Sequence, residues 1–338
     1  YIYYIIIMDK VLIYKNLPKQ IEERVMTIHS NDRDINKWQK SNEFELKMPD
    51  TITNIYSIEI KDIYIPKQMN IFSEYNQNTK LSFNYNNNTY TINISPGTYT
   101  GEQLAMEIRK KMNLATSTSG FICKYHKIQN KFWFGNPSSS FTLLFSNKEI
   151  YDCNNNQKMM FNEKLFWGLG SYLGYEKKDY QSSTIPTDKQ YAFTYDTNTN
   201  TAAKWLSDNG KYINVDNIGT AKIKGENVLY LEIEKYNTMN ELSPFAMNTS
   251  SSYNNSYNGK VNTAFAKIVL DDYETCSSRN NTNKTNKIIY NQLVKNIDRL
   301  KFKFRYHSGL LIDLADNDIH FTLVFYSVKQ SNHHLRLD

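Results

Sequence analysis

The chain has 338 residues, 14% of them aromatic (26 Tyr, 17 Phe), and a formal net charge of +6 from 40 basic and 34 acidic side chains. A chain of that length buries roughly three quarters of its unfolded surface, so it needs neither disulfides nor a metal to fold. The 12 Gly and 7 Pro exclude collagen-like and Gly-rich disordered classes, and so diluted a charge lacks the basic stripe of a dedicated nucleic-acid binder.

Tyr1 to Ile7 is apolar but much shorter than the roughly 20 residues that span a bilayer. It has no basic n-region or small-residue cleavage site, so it reads as a buried strand or docking arm and not as a signal peptide. Residues 9–40 are polar, with Ile21, Val25 and Ile28 spaced for at most two helical turns, and then a turn-rich cluster from His29 to Asn36 before Trp38. Residues 1–40 are therefore expected to form an N-terminal arm, and residues 41–338 the core.

Alternation begins at Phe44-Glu-Leu-Lys-Met48. Ile55 to Ile65 predicts a long strand closed by Pro66, which cannot donate to a ladder. Leu81–Tyr85 and Tyr90–Ile94 flank a hairpin turn of asparagines. Thr100-Gly-Glu-Gln103 is a capping box, and Leu104, Ile108 and Met112 then follow at helical spacing, which predicts one amphipathic helix on a sheet. Further strands are expected at Phe121–His126, Lys131–Phe134, Phe141–Phe145, Val228–Glu234 and Phe265–Leu270. Residues 176–225 read as a polar insertion, and 248–260 and 274–287 as loops.

Near the C-terminus Leu300, Phe302, Phe304 and Tyr306 alternate with Arg299, Lys301, Lys303 and Arg305, giving one apolar and one cationic face. With His320–Tyr326 they read as a long-looped antiparallel pair. The whole predicts an all-β fold, a jelly-roll-like antiparallel β-sandwich with one amphipathic helix and long inserted loops.

Little in the chain points to chemistry. Gly168, Gly170 and Gly174 miss the dinucleotide spacing by one and lack a βαβ unit, so they read as a tight aromatic-packed turn. Asp313, Asp316, Asp318 and His320 do not match a calcium loop and read as a solvated link. Cys123, Cys153 and Cys276 form no Cys-x-x-Cys pair; they fit a reducing compartment such as cytoplasm. Glu232 and Glu234 share a strand face, as paired glycosidase carboxylates would, yet a wet sheet face needs them anyway. No catalytic residue, cofactor or metal ligand is assigned. A carbohydrate-binding jelly roll using Trp133 and Trp167 as sugar platforms is the competing reading, with a spike or receptor-binding role.

One ordered set of motifs carries a family resemblance. Ser30-Asn-Asp-Arg-Asp34 precedes Trp38 and then Phe44, Leu46 and Pro49. The Ile55–Pro66 strand, Ile94/Gly97/Tyr99/Thr100, Leu173-Gly174-Tyr175 and Phe265–Leu270 follow, and Arg299, Leu300, Phe304, Gly309 and His320–Leu323 close the series. The set resembles the minor capsid and penton-type proteins of nucleocytoplasmic large DNA viruses and virophages. The resemblance implies a structural, non-enzymatic virion protein that links or plugs major capsid capsomers in an icosahedral shell, or else a penton at the five-fold vertices. It also implies synthesis in host cytoplasm, residence in the capsid, and oligomeric contact with the major capsid protein and other minor capsid proteins. An internal viral membrane is a further possible contact; specific nucleic acid is not. Interface candidates are Tyr3, Tyr4, Arg33, Asp34, Trp38, Arg299, Lys301, Lys303 and Arg305. Deleting residues 1–36 is expected to leave a folded core.

Overall fold

Period-two alternation of apolar side chains resolves into antiparallel ladders throughout the chain. The computed structural model describes residues 21–66, 69–148, 150–151, 158–159, 167–191, 204–242, 261–270, 286–307 and 309–329. In chain order the elements are β1 (Ile21–His29), β2 (Glu43–Tyr64), β3 (Lys80–Tyr85), β4 (Asn88–Asn93), helix α1 (Gly101–Thr116), β5 (Ile122–His126), β6 (Lys131–Asn136) and β7 (Phe141–Leu144). Next come β8 (Ile150–Tyr151), β9 (Lys158–Met159), the four-residue helix α2 (Leu169–Tyr172), β10 (Tyr180–Gln181), β11 (Ser183–Thr184) and β12 (Lys211–Tyr212). The last are β13 (Val228–Ile233), β14 (Met239–Leu242), β15 (Val261–Ala264), β16 (Ala266–Val269), β17 (Asn286–Arg305) and β18 (His320–Val328).

They divide into two compact units. The first comprises Tyr1–Lys67, Val228–Glu241 and Val261–Asp338, and is built on a six-stranded sheet ordered β1-β18-β2-β17-β13-β16. Its strand pairs are antiparallel. On one face Phe44, Ile58, Leu231, Phe302, Phe304, Phe321 and Phe325 are fully buried. Their rings interlock: Phe302 lies 5.2 Å from Phe44 and 5.1 Å from Phe321. Each such side chain contributes about 1.5–3 kcal/mol by leaving water. The connection between β17 and β18 adds buried Ile312, Leu314 and Ile319 to the same unit.

This sheet differs from the sequence expectation in three ways. β17 and β18 do not pair; β2 runs between them and pairs with both. Residues 44–48 and 55–65 belong to one 22-residue strand. It absorbs Pro49, which lies where the β17 pairing skips from Lys47/Arg299 to Ile52/Ile297, and Asn54, whose φ of 52° is in the left-handed region that Asn tolerates. Residues 21–29 are strand and not helix, so the second half of the expected arm is part of the sheet: β1 pairs with β18 from Ile21/Val328 to His29/His320.

The second unit comprises Gln68–Asn227 and Leu242–Lys260. It carries two four-stranded sheets, β10-β7-β3-β4 and β11-β12-β6-β5. Aromatic side chains join them: Tyr175 packs against Phe134 after β6 has placed it and against Phe145 beyond β7, and its hydroxyl donates to the Phe132 carbonyl at 3.0 Å. The β3–β4 turn is Asn86-Asn87, both in the left-handed region that Asn tolerates. Helix α1 opens as the sequence predicts. Thr100 Oγ1 accepts from the Gln103 amide at 3.2 Å, Gln103 Oε1 accepts from the Thr100 amide at 2.9 Å, and Leu104, Ala105, Ile108 and Met112 are buried. The described parts of the expected insertion at 176–225, residues 176–191 and 204–225, are instead part of this unit's fabric. β10, β11 and β12 are only two residues each, but Trp205, Leu206, Tyr212, Ile213 and Val215 are all buried.

Gly174 makes the closest backbone approach here. Its φ is +91°, and a Cβ at that position would stand 2.4 Å from the Gly219 carbonyl oxygen. Gly170 leaves room for Trp167 and Phe145, which is the tight aromatic-packed turn read from the sequence.

Candidate interaction surface

Register alone sets the chemistry of the outer face of the first unit. Lys303 stands opposite Glu43 on β2 and Glu232 on β13, Lys301 opposite Glu45, Arg299 opposite Lys47, and Arg305 opposite Tyr230. Residues directly opposite one another share a face, so Lys303 meets an acid on each side and Lys301 meets one across β2, while Arg299 and Arg305 reach acids diagonally. Lys301 Nζ lies 2.8 Å from Glu43, Lys303 3.6 Å from the same carboxylate, and Arg299 3.5 Å from Glu45. Exposed pairs of this kind are worth about 0–1 kcal/mol each.

The four cations differ in exposure. The side chain of Arg299 is 60% exposed, Lys303 39%, Lys301 23% and Arg305 5%. Arg305 is a framework residue. Its guanidinium pairs with Glu232 and Glu241, donates to the Tyr306 carbonyl at 3.2 Å, and stacks 5.1 Å from the Tyr230 ring. His307 Nδ1 lies 3.0 Å from the second oxygen of Glu241. The arrangement ties β13, β14 and β17 together.

The Ser30–Asp34 motif and Trp38 form a clip on this unit. Arg33 donates to the carbonyls of Ser30 at 2.8 Å and Trp38 at 3.0 Å, and to Asp318 at 3.0 Å. The Ser30 hydroxyl donates to the same Asp318 oxygen at 2.7 Å. Asp34 turns the chain by accepting the amides of Asn36 through its side chain and of Trp38 through its carbonyl. Trp38 then lies under two cations, Lys301 at 4.9 Å and Lys37 at 5.1 Å. Thus Trp38, Arg299, Lys301 and Lys303 come together, whereas Arg33 and Asp34 are spent on the clip. Tyr3 and Tyr4 lie outside the described residues, as do Cys153 and Cys276.

Three features escaped the sequence. β1 lies at one end of the six-stranded order, with Ile21 49% and Val25 51% exposed. β17 runs well beyond its pairing with β13 and carries exposed Ile289 and Leu293. A ring stack crosses β2, β18 and β1, with Tyr64 4.5 Å from His320 and His29 5.3 Å from it. Only the first had a sequence signal: a β-branched, proline-free run from Ile21 to Ile28.

The groups weighed for chemistry are employed elsewhere. Glu232 is paired with Arg305, Asp318 with Arg33 and Ser30, and Asp313 accepts the Ala315 amide. Among the described residues no three His, Cys, Asp or Glu side chains are placed to hold a metal. Trp133 and Trp167 are 1% and 2% exposed, so neither can serve as a sugar platform. Trp133 is instead edge-on to Trp205 at 5.6 Å. Burial drives the Cys123 thiol far above its usual range, which makes it inert.

No protein-family model and no curated protein matches the chain. Among solved structures it is similar to the mavirus penton protein, with 8% identity and a TM-score of 0.38 over 92% of this chain and 100% of that one. It is also similar to a chain of the Sputnik virophage structure, with 12% identity and a TM-score of 0.35 over 91% of this chain and 98% of that one. Both likenesses are remote.

Proposed function

We propose that this chain is a structural virion protein, a minor capsid protein that links or plugs major capsid capsomers in an icosahedral shell. The observation that carries the reading is β1. It is a nine-residue terminal strand in unbroken register with β18, it contains no proline, and two of its outward side chains are half-exposed Ile21 and Val25. Free sheet edges are blunted by charged side chains, proline or bulges; β1 carries charges at Glu22, Glu23 and Arg24 but no proline and no bulge in its register, so its backbone edge suits addition of a strand from another chain. The motif order that resembles capsid proteins supports the same reading, because much of it falls on the framework of this sheet: Phe44 to Tyr64 in β2, Phe265 to Leu270 across β16, Arg299 to Phe304 in β17 and His320 to Leu323 in β18.

Of the expected arm, residues 1–40, the assembly role is assigned to residues 1–20, because residues 21–29 form strand β1. Removing residues 1–36 would strip β1 from β18 and the Arg33 clip from Asp318, so the core would suffer. Removing residues 1–20 spares both. The truncated protein is expected to keep the circular dichroism of the full chain and to be lost from particles assembled in infected cells. Undiminished incorporation would refute the arm's role. Mass spectrometry of purified particles tests the broader reading, with the chain expected at many copies per particle.

A further inference from the structure

A cavity of about 430 Å³ in the first sheet of the second unit is lined by Glu74, Gln77, Thr79, Lys80 and Lys148. Lys80 begins β3, and Lys148 follows β7 three residues after Phe145. Two features set these lysines apart from the cations of the first unit. Neither side-chain ammonium is hydrogen-bonded or ion-paired to any described residue. The one acid in the wall, Glu74, is instead accepting from Asn93 Nδ2 at 3.0 Å, and Asn93 is the residue opposite Lys80 in the β3–β4 ladder.

Lys148 is also held in place. Its aliphatic stem lies across Gly168, where a Cβ would meet Lys148 Cε at 3.0 Å and Cγ at 3.2 Å. The stem is therefore packed and the ammonium delivered to the cavity, half-buried beside a second ammonium. Burial and the Lys80 charge both push the Lys148 ammonium below the usual lysine range. The half-buried Lys148 ammonium and the exposed Lys80 ammonium line the same cavity, in which Glu74 is the one acid among the lining residues, and an entering anion offsets their mutual repulsion. The neighbouring Thr79 and Gln77 add neutral groups able to hydrogen-bond oxygen.

We infer that this cavity is an oxyanion site, with Lys80 and Lys148 as its two cationic ligands and a phosphate or sulfate group as its occupant. The site uses no residue of β1, so it can fail while the structural reading stands.

Calorimetric titration of the full chain with inorganic phosphate at low ionic strength tests it. Saturable one-to-one binding is expected, with sulfate competing and chloride not. Lys148→Gln and Lys80→Gln should each weaken it at least tenfold, and Lys124→Gln on β5 should leave it unchanged. Selectively labelled lysine NMR supplies a second readout on the unaltered protein: phosphate should move the Lys148 signal toward its ordinary titration range. Absence of saturable binding would overturn the assignment. So would binding that survives both substitutions, or a Lys148 signal indifferent to phosphate.

Discussion

Arg305→Met isolates the buried charge cluster of the first unit. The substitution keeps most of the side-chain volume and removes one positive charge from contact with Glu232 and Glu241. Arg305 is 5% exposed at its side chain, Glu241 8% and Glu232 24%, so solvent cannot take over the role of the guanidinium. Removing one partner of a buried pair costs about 3–5 kcal/mol, because the stranded charge keeps its dehydration penalty and loses its compensation. The unit holds about 160 residues by its bounds, for which each kcal/mol moves the midpoint by about 2–4 °C. The expected fall is therefore about 6–20 °C. Labelling with 5-fluorotryptophan gives the assay: Trp38 is the first unit's tryptophan and Trp133, Trp167 and Trp205 belong to the second, so each unit's thermal transition is followed by ¹⁹F resonances of its own. Adding Glu241→Gln should recover part of the loss by removing the unpaired carboxylate. A loss under about 1 kcal/mol, the value of an exposed pair, would refute the framework role given to Arg305.

Three further outcomes are expected. Thr100→Ala removes the acceptor of the Gln103 amide and should cost about 1 kcal/mol, lowering the midpoint read from the second unit's tryptophan resonances. Gly174→Ala forces a left-handed φ of +91° on a residue with a Cβ and drives that atom against the Gly219 carbonyl; backbone strain alone amounts to about 1–3 kcal/mol, so a normal midpoint would contradict the described turn. Tyr326 donates to Glu59 at 2.9 Å, and burial, followed by that bond and the Glu59 charge, pushes its phenol up to about 12. A folded-state value above the unfolded one means that the stability it contributes is complete below about pH 10 and lost as the pH climbs toward 12. Alkaline denaturation should therefore soften in Tyr326→Phe within that window, and an identical pH profile would count against the Glu59 contact.

Helix α1 was legible because its signals agree: a capping box, 3.6-residue spacing of Leu104, Ile108 and Met112, and charged residues on the remaining face. The apolar face of β17 was legible for the same reason, since Leu300, Phe302 and Phe304 alternate without interruption. Alternation reports which face a residue takes and says nothing of which strand lies alongside. That is why β17 and β18 read as partners although β2 separates them. β1 misled because Ile21 and Val25 face outward at an edge and only Ile28 is buried, so its apolar residues trace no strand face. The stretch 176–225 misled because its strands are two residues long, below the window any periodicity needs. The four cations of β17 were visible, but Glu43, Glu45 and Glu241 reach them only through the ladder and the β14 contact. Lys80 and Lys148 carry no local pattern at all; only the fold brings them together.

A reconstruction of the purified particle by cryo-electron microscopy tests the central claim most directly. The account predicts density for this chain within the shell against capsomers, at the facets or the vertices, with a strand of a neighbouring chain hydrogen-bonded along Ile21–His29. Particles whose shell lacks the chain, or contain it with that edge facing open solvent, would contradict it.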